Sequence, residues 1–151
     1  MMGWEIERKF LIGRLPGDIT RTKPVNISQG YLILCENGPE LRIRSMGKRY
    51  YLTIKGEGLL KRKEIETEIT KAPFNNLWLH TEGKRIEKQR YSINYGSRKI
   101  YIDEFAGKYA GLVIAEIEFP NEKQAIEFDP PPWFGKEITH NSKYRNRNMA
   151  Y

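Results

Sequence analysis

The sequence predicts a mainly β fold of the α+β class, with eight strands and two or three short helices. The main observation is a pattern that recurs along the 151 residues, in which apolar and charged residues alternate over a few positions. Alternation puts successive side chains on opposite faces of a strand. Most links between these segments are short, which favours antiparallel pairing. The length suits a single domain, residues 1–151, with a sizeable core.

The first half of the chain carries five of the predicted strands. The first of them contains Glu5, Glu7 and Lys9 on one face. The next four are predicted at Gln29–Cys35, Glu40–Arg44, Tyr50–Lys55 and Arg62–Ile69. Residues 13–24, which contain Pro and Gly, are predicted to connect the first two strands. Residues 37–39 read Asn-Gly-Pro and are predicted to form a tight turn.

The second half combines three further strands with short helices. The strands are predicted at Arg85–Asn94, Arg98–Glu104 and Leu112–Phe119, and the first two of these form a hairpin. Ala72–Thr81 is predicted as a helix because its large apolar residues follow helical spacing. Asn121–Phe128 is predicted as a second helix with Asn121 as its N-cap. The basic segment Lys136–Met149 is predicted to be partly helical.

The charge and cysteine content restrict the partners and the compartment. The net charge of +7 favours an anionic partner, such as a phosphorylated metabolite, nucleic acid or an acidic membrane surface. A single cysteine, Cys35, excludes an internal disulfide and fits a reducing compartment. The sequence has no apolar run long enough to span a bilayer and no signal-peptide segment. These features predict a cytoplasmic protein without a membrane partner.

Charged residues gather on one face of the predicted strands and apolar residues on the other. The charged residues are Glu5, Glu7, Lys9, Arg42, Arg44, Lys55, Arg62, Glu64, Glu66, Lys88, Arg90, Asp103, Glu116 and Glu118. In a flat sheet this face would lie in water, and helices would cover the apolar face. Eight strands are also the number that closes into a small barrel, and basic and acidic pairs segregate by strand. A closed eight-stranded antiparallel β-barrel with covering helices would place the charges in a wet lumen.

The two kinds of charge suit a polyphosphate and a divalent metal. Paired carboxylates are hard oxygen ligands for Mg²⁺ or Mn²⁺, and Arg and Lys side chains bind phosphate oxygens. Together they would stabilise phosphoryl transfer. The non-enzymatic alternative is a basic barrel that binds polyphosphate or RNA without turnover. Carboxylates among the basic residues disfavour nucleic acid as the partner.

Several motifs in one order resemble the CYTH proteins, or triphosphate tunnel metalloenzymes. The motifs are Glu5-Ile6-Glu7-Arg8-Lys9-Phe10, Gln29-Gly30-Tyr31-Leu32, Arg42-Ile43-Arg44, Leu52-Thr53-Ile54-Lys55-Gly56, Arg62-Lys63-Glu64-Ile65-Glu66, Lys88-Gln89-Arg90-Tyr91, Ala115-Glu116-Ile117-Glu118 and Gly135-Lys136-Glu137-Ile138-Thr139. The resemblance covers nearly the whole chain. It implies one CYTH-like tunnel domain, a closed eight-stranded antiparallel barrel that binds a triphosphate-containing small molecule with a divalent metal.

The resemblance also assigns residues, motif by motif. It implies Glu5, Glu7, Glu116 and Glu118 as metal ligands, with Glu64, Glu66 and Asp103 assisting them. It implies Lys9, Arg42, Arg44, Lys55, Arg62, Lys88 and Arg90 as the phosphate-binding residues. Many relatives have an acidic residue two positions after Thr139 and then an arginine, where this chain has Asn141 and Lys143. The role of the C-terminal segment is therefore left open.

Small members of this family most resemble the inorganic triphosphatases, which implies hydrolysis of inorganic triphosphate to pyrophosphate and phosphate. None of the residues His80, His140 and Cys35 has neighbouring residues in the sequence that would activate it as a nucleophile. We therefore expect direct attack by a metal-activated water. Lys55 and Arg90 are expected to neutralise the leaving pyrophosphate. A class IV-type adenylate cyclase and a thiamine triphosphatase are the alternative activities. The sequence does not decide whether the protein is a monomer or a homodimer.

Two further expectations concern the lumen charges. Because water must reach them, their burial is expected to be partial. Because neighbouring carboxylates repel each other without metal, Glu116→Gln is expected to leave the fold intact and to raise its stability slightly.

Overall fold

A computed structural model describes residues 2–19, 22–36 and 38–150. In these residues eight strands form a closed barrel in the order β1-β5-β4-β3-β2-β6-β7-β8, and every neighbouring pair is antiparallel. The strands are β1 Met2–Leu11, β2 Val25–Leu34, β3 Glu40–Met46, β4 Arg49–Lys55, β5 Lys61–Ile69, β6 Arg85–Tyr95, β7 Arg98–Phe105 and β8 Val113–Glu118. The predicted closed barrel is confirmed. The predicted turn at Asn37 and the part of the first link at residues 20 and 21 lie outside the described residues.

The helices are short and lie outside the strands. They are α1 Lys71–Trp78, α2 Glu122–Glu127 and α3 Asn146–Met149, with single 3₁₀ turns at Leu79–Thr81, Gly107–Tyr109 and Ser142–Tyr144. Asn121 caps α2, since its side chain accepts a hydrogen bond from the backbone N–H of Gln124 at 2.9 Å. None of the described helices has the length and apolar character that crossing a bilayer requires.

Strand β1 closes the barrel by dividing its length between two partners. Its residues 2–6 pair with β5 and its residues 7–11 pair with β8. The carboxylates of Glu5 and Glu7, on the same face of β1, therefore lie at the point where β5 gives way to β8. This position brings side chains from all three strands together inside the barrel.

The outer apolar core lies on the wall formed by β1, β7 and β8. It contains Phe10, Ile100, Ile117 and Phe119, all buried. Helix α2 contributes only Ala125 to the buried part of this core. Irregular segments supply the rest of the cover, and the ring centroids of Phe10 and Phe134 lie 4.8 Å apart. Helices were expected to cover the outer faces, and here irregular chain does most of the covering.

A second apolar core closes one end of the barrel from the inside. Side-chain alternation points Tyr31, Ile86, Phe105 and Ile114 into the barrel, where they cluster with Ile138, Met149 and Ala150 of the C-terminal segment. This segment is fixed to the outside of β1 by a paired hydrogen bond from Arg8 to Glu137, with both N–O distances at 2.8 Å. The lumen is therefore blind at this end. Closing the lumen is therefore a structural role of the C-terminal segment, to which the sequence alone assigned no role.

The wall of the barrel leaves no space for a side chain at Gly30. A Cβ atom at this position would lie 2.5 Å from the Cβ of Thr81, which is fully buried and accepts a hydrogen bond from Arg85. We expect Gly30→Ala to lower the free energy of unfolding by about 1–3 kcal/mol, the usual cost of overpacking. Urea denaturation measures this, with Gly3→Ala as the matched control because no atom lies within 4 Å of its added Cβ. Equal midpoints for the two variants would contradict the described packing.

Candidate active site

The lumen holds a cavity of about 460 Å³ that is lined by inward-facing side chains from all eight strands. A volume of this size suits a small-molecule ligand. Of the residues expected from the sequence, the cavity is lined by Glu5, Glu7, Lys9, Arg42, Arg44, Lys55, Arg62, Glu64, Glu66, Lys88, Arg90, Glu116 and Glu118. Asp103 is the one expected residue that does not line it. The folded barrel thus gathers side chains that are up to 113 positions apart between Glu5 and Glu118.

The lumen charges are buried more deeply than expected. Arg42, Lys55 and Lys88 are only 5%, 4% and 3% exposed. Burial of an isolated charge is very costly, and such burial occurs when opposite charges pair. The expectation of partial burial was wrong for these residues, because cations and carboxylates of neighbouring strands neutralise one another inside the barrel.

One group of ion pairs joins β1, β4 and β5. The ammonium of Lys55 lies 2.7 Å from Glu5 and 3.0 Å from Glu64, and the Nε of Arg62 lies 2.8 Å from Glu5. Burial by itself would raise the pKa of the Glu5 carboxyl, but Lys55 and Arg62 outweigh it and hold the pKa well below its usual range. Glu5 is therefore a carboxylate at any pH at which the protein would work.

A second group of ion pairs surrounds Glu116. Lys9 lies 3.3 Å from both Glu7 and Glu116, and Arg90 donates to Glu116 at 3.0 Å. Although burial opposes ionisation, these cations lower the pKa of Glu116 well below its usual value. Attraction and not repulsion dominates at Glu116, so the repulsion on which the expected gain in stability was based is absent, and we now expect Glu116→Gln to lower stability. The substitution would remove a favourable charge from between two buried cations.

The opposite wall carries Arg42 and Arg44 on β3. Arg44 pairs with Glu66 at 3.1 Å, and Glu66 also accepts from the hydroxyl of Thr53 at 2.8 Å. Arg42 is buried beside Tyr31, and its Nε makes no hydrogen bond within the described part of the chain. A buried donor without a partner is uncommon and indicates a place for a further acceptor.

Several polar residues of the lumen were missed in the sequence. Tyr31 and Gln29 lie on the inner face of β2, where Gln29 lines the cavity and donates to the Tyr31 hydroxyl at 3.3 Å. Lys99 and Tyr101 on β7 also line the cavity. Alternation could have found Lys99 and Tyr101, because each lies an even number of positions from Asp103, whereas β2 has no charged residue that would mark its inner face. They were missed because only charged runs were used to define the inner face, and Lys99 lies beside a turn.

Three carboxylates form the group best suited to a metal ion. Glu5, Glu7 and Glu118 each offer one oxygen, and these oxygens all lie within 4.8 Å of one another. Partial burial of the carboxyl group, together with the charges of Glu5, Glu7 and Glu116, raises the pKa of Glu118 to about 7, although part of this residue is exposed at the surface. The donor set fits a hard divalent cation, which carboxylate oxygens prefer.

The pKa of Glu118 predicts how metal affinity changes with pH. A proton and a metal ion compete for this carboxylate, so we expect Mn²⁺ affinity to fall as pH drops from 8 through about 7 to 6. Calorimetric titration of Mn²⁺ measures it. In Glu118→Gln the affinity should be low at every pH, with this pH dependence lost. Wild-type affinity that is constant over this range would contradict the prediction.

The same shift has a consequence for stability in the absence of metal. The folded state keeps the Glu118 proton up to a pH of about 7, whereas an ordinary carboxyl loses it near 4.5. The unfolded chain therefore binds fewer protons between these values, and the free energy of unfolding falls as pH rises through this window.

Asp103 faces the interior of the barrel, on the same side of β7 as Lys99 and Tyr101, but it does not line the cavity; it touches two of the lumen cations. It is completely buried, pairs with Lys88 at 2.6 Å and accepts from Arg90 at 2.6 and 2.7 Å. Burial lowers the pKa of Lys88 to about 8, and Asp103 opposes this effect. The carboxylate group formed by Glu5, Glu7 and Glu118 does not include Asp103.

The two unusual C-terminal residues lie away from the main cavity. Asn141 accepts a hydrogen bond from the backbone N–H of Lys143 at 3.1 Å, beside a small pocket at the closed end. The ammonium of Lys143 lies 5.9 Å from the ring centre of Tyr144. Of the C-terminal segment, Asn146 is the residue that lines the main cavity among those described.

Comparison with known proteins gives one family and close relatives. The CYTH domain family profile matches residues 4–146. The chain is 42% identical over 147 residues to the inorganic triphosphatase of Nitrosomonas europaea, covering 97% of this chain and 96% of the relative. It is 37% identical to the inorganic triphosphatase of Acetivibrio thermocellus, covering 99% and 94%. A crystal structure of an inorganic triphosphatase superposes with a TM-score of 0.70 at 40% identity, covering 97% and 93% of the two chains.

Proposed function

The chain belongs to the CYTH domain family, and on that premise we propose that it hydrolyses inorganic triphosphate to pyrophosphate and orthophosphate with a divalent metal. Relatives named inorganic triphosphatase, which match it over nearly their full lengths, support triphosphate hydrolysis. The observation that carries the proposal is one blind cavity that combines a continuous lining of cations with a group of three carboxylates.

The cations suit a short linear polyphosphate. The phosphate-binding residues are Lys9, Arg42, Arg44, Lys55, Arg62, Lys88 and Arg90, all on the cavity wall. In the ligand-free protein most of them are paired with carboxylates, so a bound triphosphate takes over existing charge-assisted contacts. Because one end of the lumen is closed by Tyr31 and the C-terminal segment, the substrate enters from the end where Glu118 lies.

Glu5, Glu7 and Glu118 would hold a Mg²⁺ or Mn²⁺ ion, with Glu116, Glu64 and Glu66 on the neighbouring wall. A divalent ion there would add positive charge at the phosphate oxygens and lower the pKa of the attacking water. Ion pairs keep Glu5 ionised, so it needs no proton loss to bind a cation. Lys55, which pairs with Glu5 and Glu64, would have fewer carboxylate contacts and could bind phosphate if Glu5 held the metal.

Lys55 and Arg90 are the proposed catalytic residues because they flank the lumen from opposite sides of β1. Lys55 is paired with Glu5, which belongs to the proposed metal-binding carboxylates. Arg90 is paired with Glu116, which lies on the neighbouring wall. Charge that develops on the leaving pyrophosphate is stabilised by such fixed cations without reorganisation. Cys35 is exposed and lies outside the cavity, which fits attack by water and not by a protein thiol.

The proposed compartment is the cytoplasm, where the single free Cys35 stays reduced. Nucleic acid is an unsuitable partner for this site, because a cavity of about 460 Å³ inside the barrel suits a small ligand and not a polynucleotide.

A substrate panel with Mg²⁺ or Mn²⁺ tests the proposed function. Inorganic triphosphate, ATP and thiamine triphosphate are compared while phosphate, pyrophosphate and cyclic AMP are measured. We expect triphosphate to be hydrolysed faster than either organic substrate, because the cavity offers charge along its whole wall. Formation of cyclic AMP faster than triphosphate hydrolysis would replace this proposal with a cyclase. Tight binding without turnover would indicate the non-enzymatic barrel.

A further inference from the structure

Asp103 is the most completely enclosed charge among the described lumen residues. Its residue is 0% exposed, and it lies in the middle of β7 directly opposite Arg90 on β6. Its Oδ1 accepts from the Nε of Arg90 at 2.6 Å, and its Oδ2 accepts from the Nη2 of Arg90 at 2.7 Å. The same Oδ2 lies 2.6 Å from the ammonium of Lys88. Both oxygens are thus engaged by cations that line the cavity.

Asp103 is fully buried and does not belong to the lining of the cavity. Arg90 and Lys88 line the cavity, whereas Asp103 does not. A carboxylate buried to this degree is stable only while its partners stay in place, because an unpaired buried charge is strongly destabilising. Asp103 therefore cannot exchange its cations for another ligand as easily as Glu5 or Glu116, which lie on the cavity wall.

The geometry of the pair fixes the direction of the Arg90 guanidinium. Two parallel N–H···O bonds to one carboxylate define the plane of the group, and this contact is stronger and more specific than a single bond. A third bond to Glu116 at 3.0 Å and the ring of Tyr101, whose centre lies 4.9 Å from the guanidinium carbon, hold its other sides. Arg90 is therefore fixed before any substrate arrives.

Lys88 depends on the same carboxylate. It is two positions from Arg90 on one face of β6, so two positive charges lie side by side in a buried place. The other charges that face Lys88 are Asp103 on β7 and Glu116 on β8, and the Phe105 ring lies 5.4 Å from its ammonium. Asp103 is the only one of these carboxylates in direct contact with Lys88 among the described residues.

We propose that Asp103 is a positioning residue for the reaction and not a metal ligand, and that it holds Arg90 and Lys88 in the orientation that binds triphosphate. The proposal rests on the proposed function for the identity of the substrate. Asp103 acts through its two cations and touches neither the substrate nor the metal.

Two substitutions separate this role from a merely structural one. Asp103→Asn keeps the size of the side chain but removes its charge, whereas Asp103→Glu keeps the charge and adds a methylene to a packed site. If the charge positions the cations, we expect kcat/KM to fall about 100-fold in Asp103→Asn and to be at least about tenfold higher in Asp103→Glu than in Asp103→Asn. A packing role predicts the reverse order, because the isosteric Asn variant would then be the milder change, and that order would overturn the proposal.

Metal affinity is the second measurement. Calorimetric titration of Mn²⁺ without triphosphate should give Asp103→Asn a Kd within about twofold of the wild type, since Asp103 holds no metal. Titration of inorganic triphosphate without metal should show weaker binding to the same variant. A loss of Mn²⁺ affinity of about tenfold or more would make Asp103 a ligand and overturn the proposal. Because both titrations measure binding, they remain informative if the wild type proves not to hydrolyse triphosphate.

If neither variant folds, the wild-type protein still tests the proposal. A crystal structure with Mn²⁺ and a non-hydrolysable triphosphate analogue should keep both Asp103 oxygens in hydrogen bonds with Arg90 and Lys88. A Mn²⁺ ion bound directly to Asp103, or an Arg90 that has left it for the analogue, would refute the positioning role.

Discussion

Replacement of Glu7 by glutamine is expected to lower kcat/KM for triphosphate by about a thousandfold while the barrel stays folded. Glu7 is 4% exposed and belongs to the group of carboxylates with Glu5 and Glu118. Glutamine keeps the length of the side chain and one oxygen, but it is a far weaker ligand for a hard cation. In addition to this loss, the metal concentration that gives half-maximal activity should increase. Steady-state kinetics at several Mg²⁺ concentrations measure both effects.

The matched control is Glu87→Gln, the same change on the exposed outer face of β6. Its carboxylate accepts a hydrogen bond from Ser28, which glutamine can also accept. This variant should keep wild-type activity and metal dependence. Unchanged turnover in Glu7→Gln, or an equal loss in both variants, would show that the group formed by Glu5, Glu7 and Glu118 has no specific role in the reaction.

Lys55→Met is expected to produce the second large loss, about 100- to 1000-fold in kcat/KM. Lys55 is 4% exposed and presents its ammonium to Glu5 and Glu64 at 2.7 and 3.0 Å. Methionine has a similar length but no charge, so the cavity loses a cation that the triphosphate would contact. In the ligand-free protein, Glu5 keeps Arg62 as a partner at 2.8 Å, which limits the loss of stability.

Lys63→Met is the control for this change, because Lys63 lies on the exposed outer face of the adjacent strand β5. Steady-state kinetics and thermal unfolding of both variants distinguish a loss of catalysis from a loss of folded protein. Lys55→Met should lose activity at a temperature at which it is fully folded, and Lys63→Met should lose neither. Activity retained in Lys55→Met would remove it from the catalytic residues.

The barrel was predictable because one pattern, the alternation of apolar and charged residues, recurs in most of its strands. Alternation in segments such as Glu40–Met46 and Arg49–Lys55 defines both the strands and their inner faces. The start of β2 at Val25, four positions before the predicted start at Gln29, was missed although residues 25–28 alternate between apolar and polar, because only charged residues were used. Residues 25–28 contain Asn26 and Ser28, which are polar but uncharged and gave no alternating charge pattern.

The membership of the lumen was predictable, but the pairing inside it was not. Glu116 and Glu118 have the same residue type and lie on the same face of β8, yet the pKa of the first is lowered and that of the second is raised. The difference depends on which cations the closed barrel brings near each carboxylate, at the point where the partner of β1 changes from β5 to β8. The closed end depends likewise on contacts between Tyr31 and residues more than 100 positions away, such as Ile138.

The most direct test of the account is the position of the metal in crystals grown with Mn²⁺ and a non-hydrolysable triphosphate analogue. Anomalous diffraction locates Mn²⁺ independently of the other atoms. The account predicts a Mn²⁺ peak in contact with Glu5, Glu7 and Glu118, with the analogue inside the barrel against Lys55 and Arg90. A Mn²⁺ peak away from these carboxylates, or an analogue bound on the outer wall of the barrel, would contradict it.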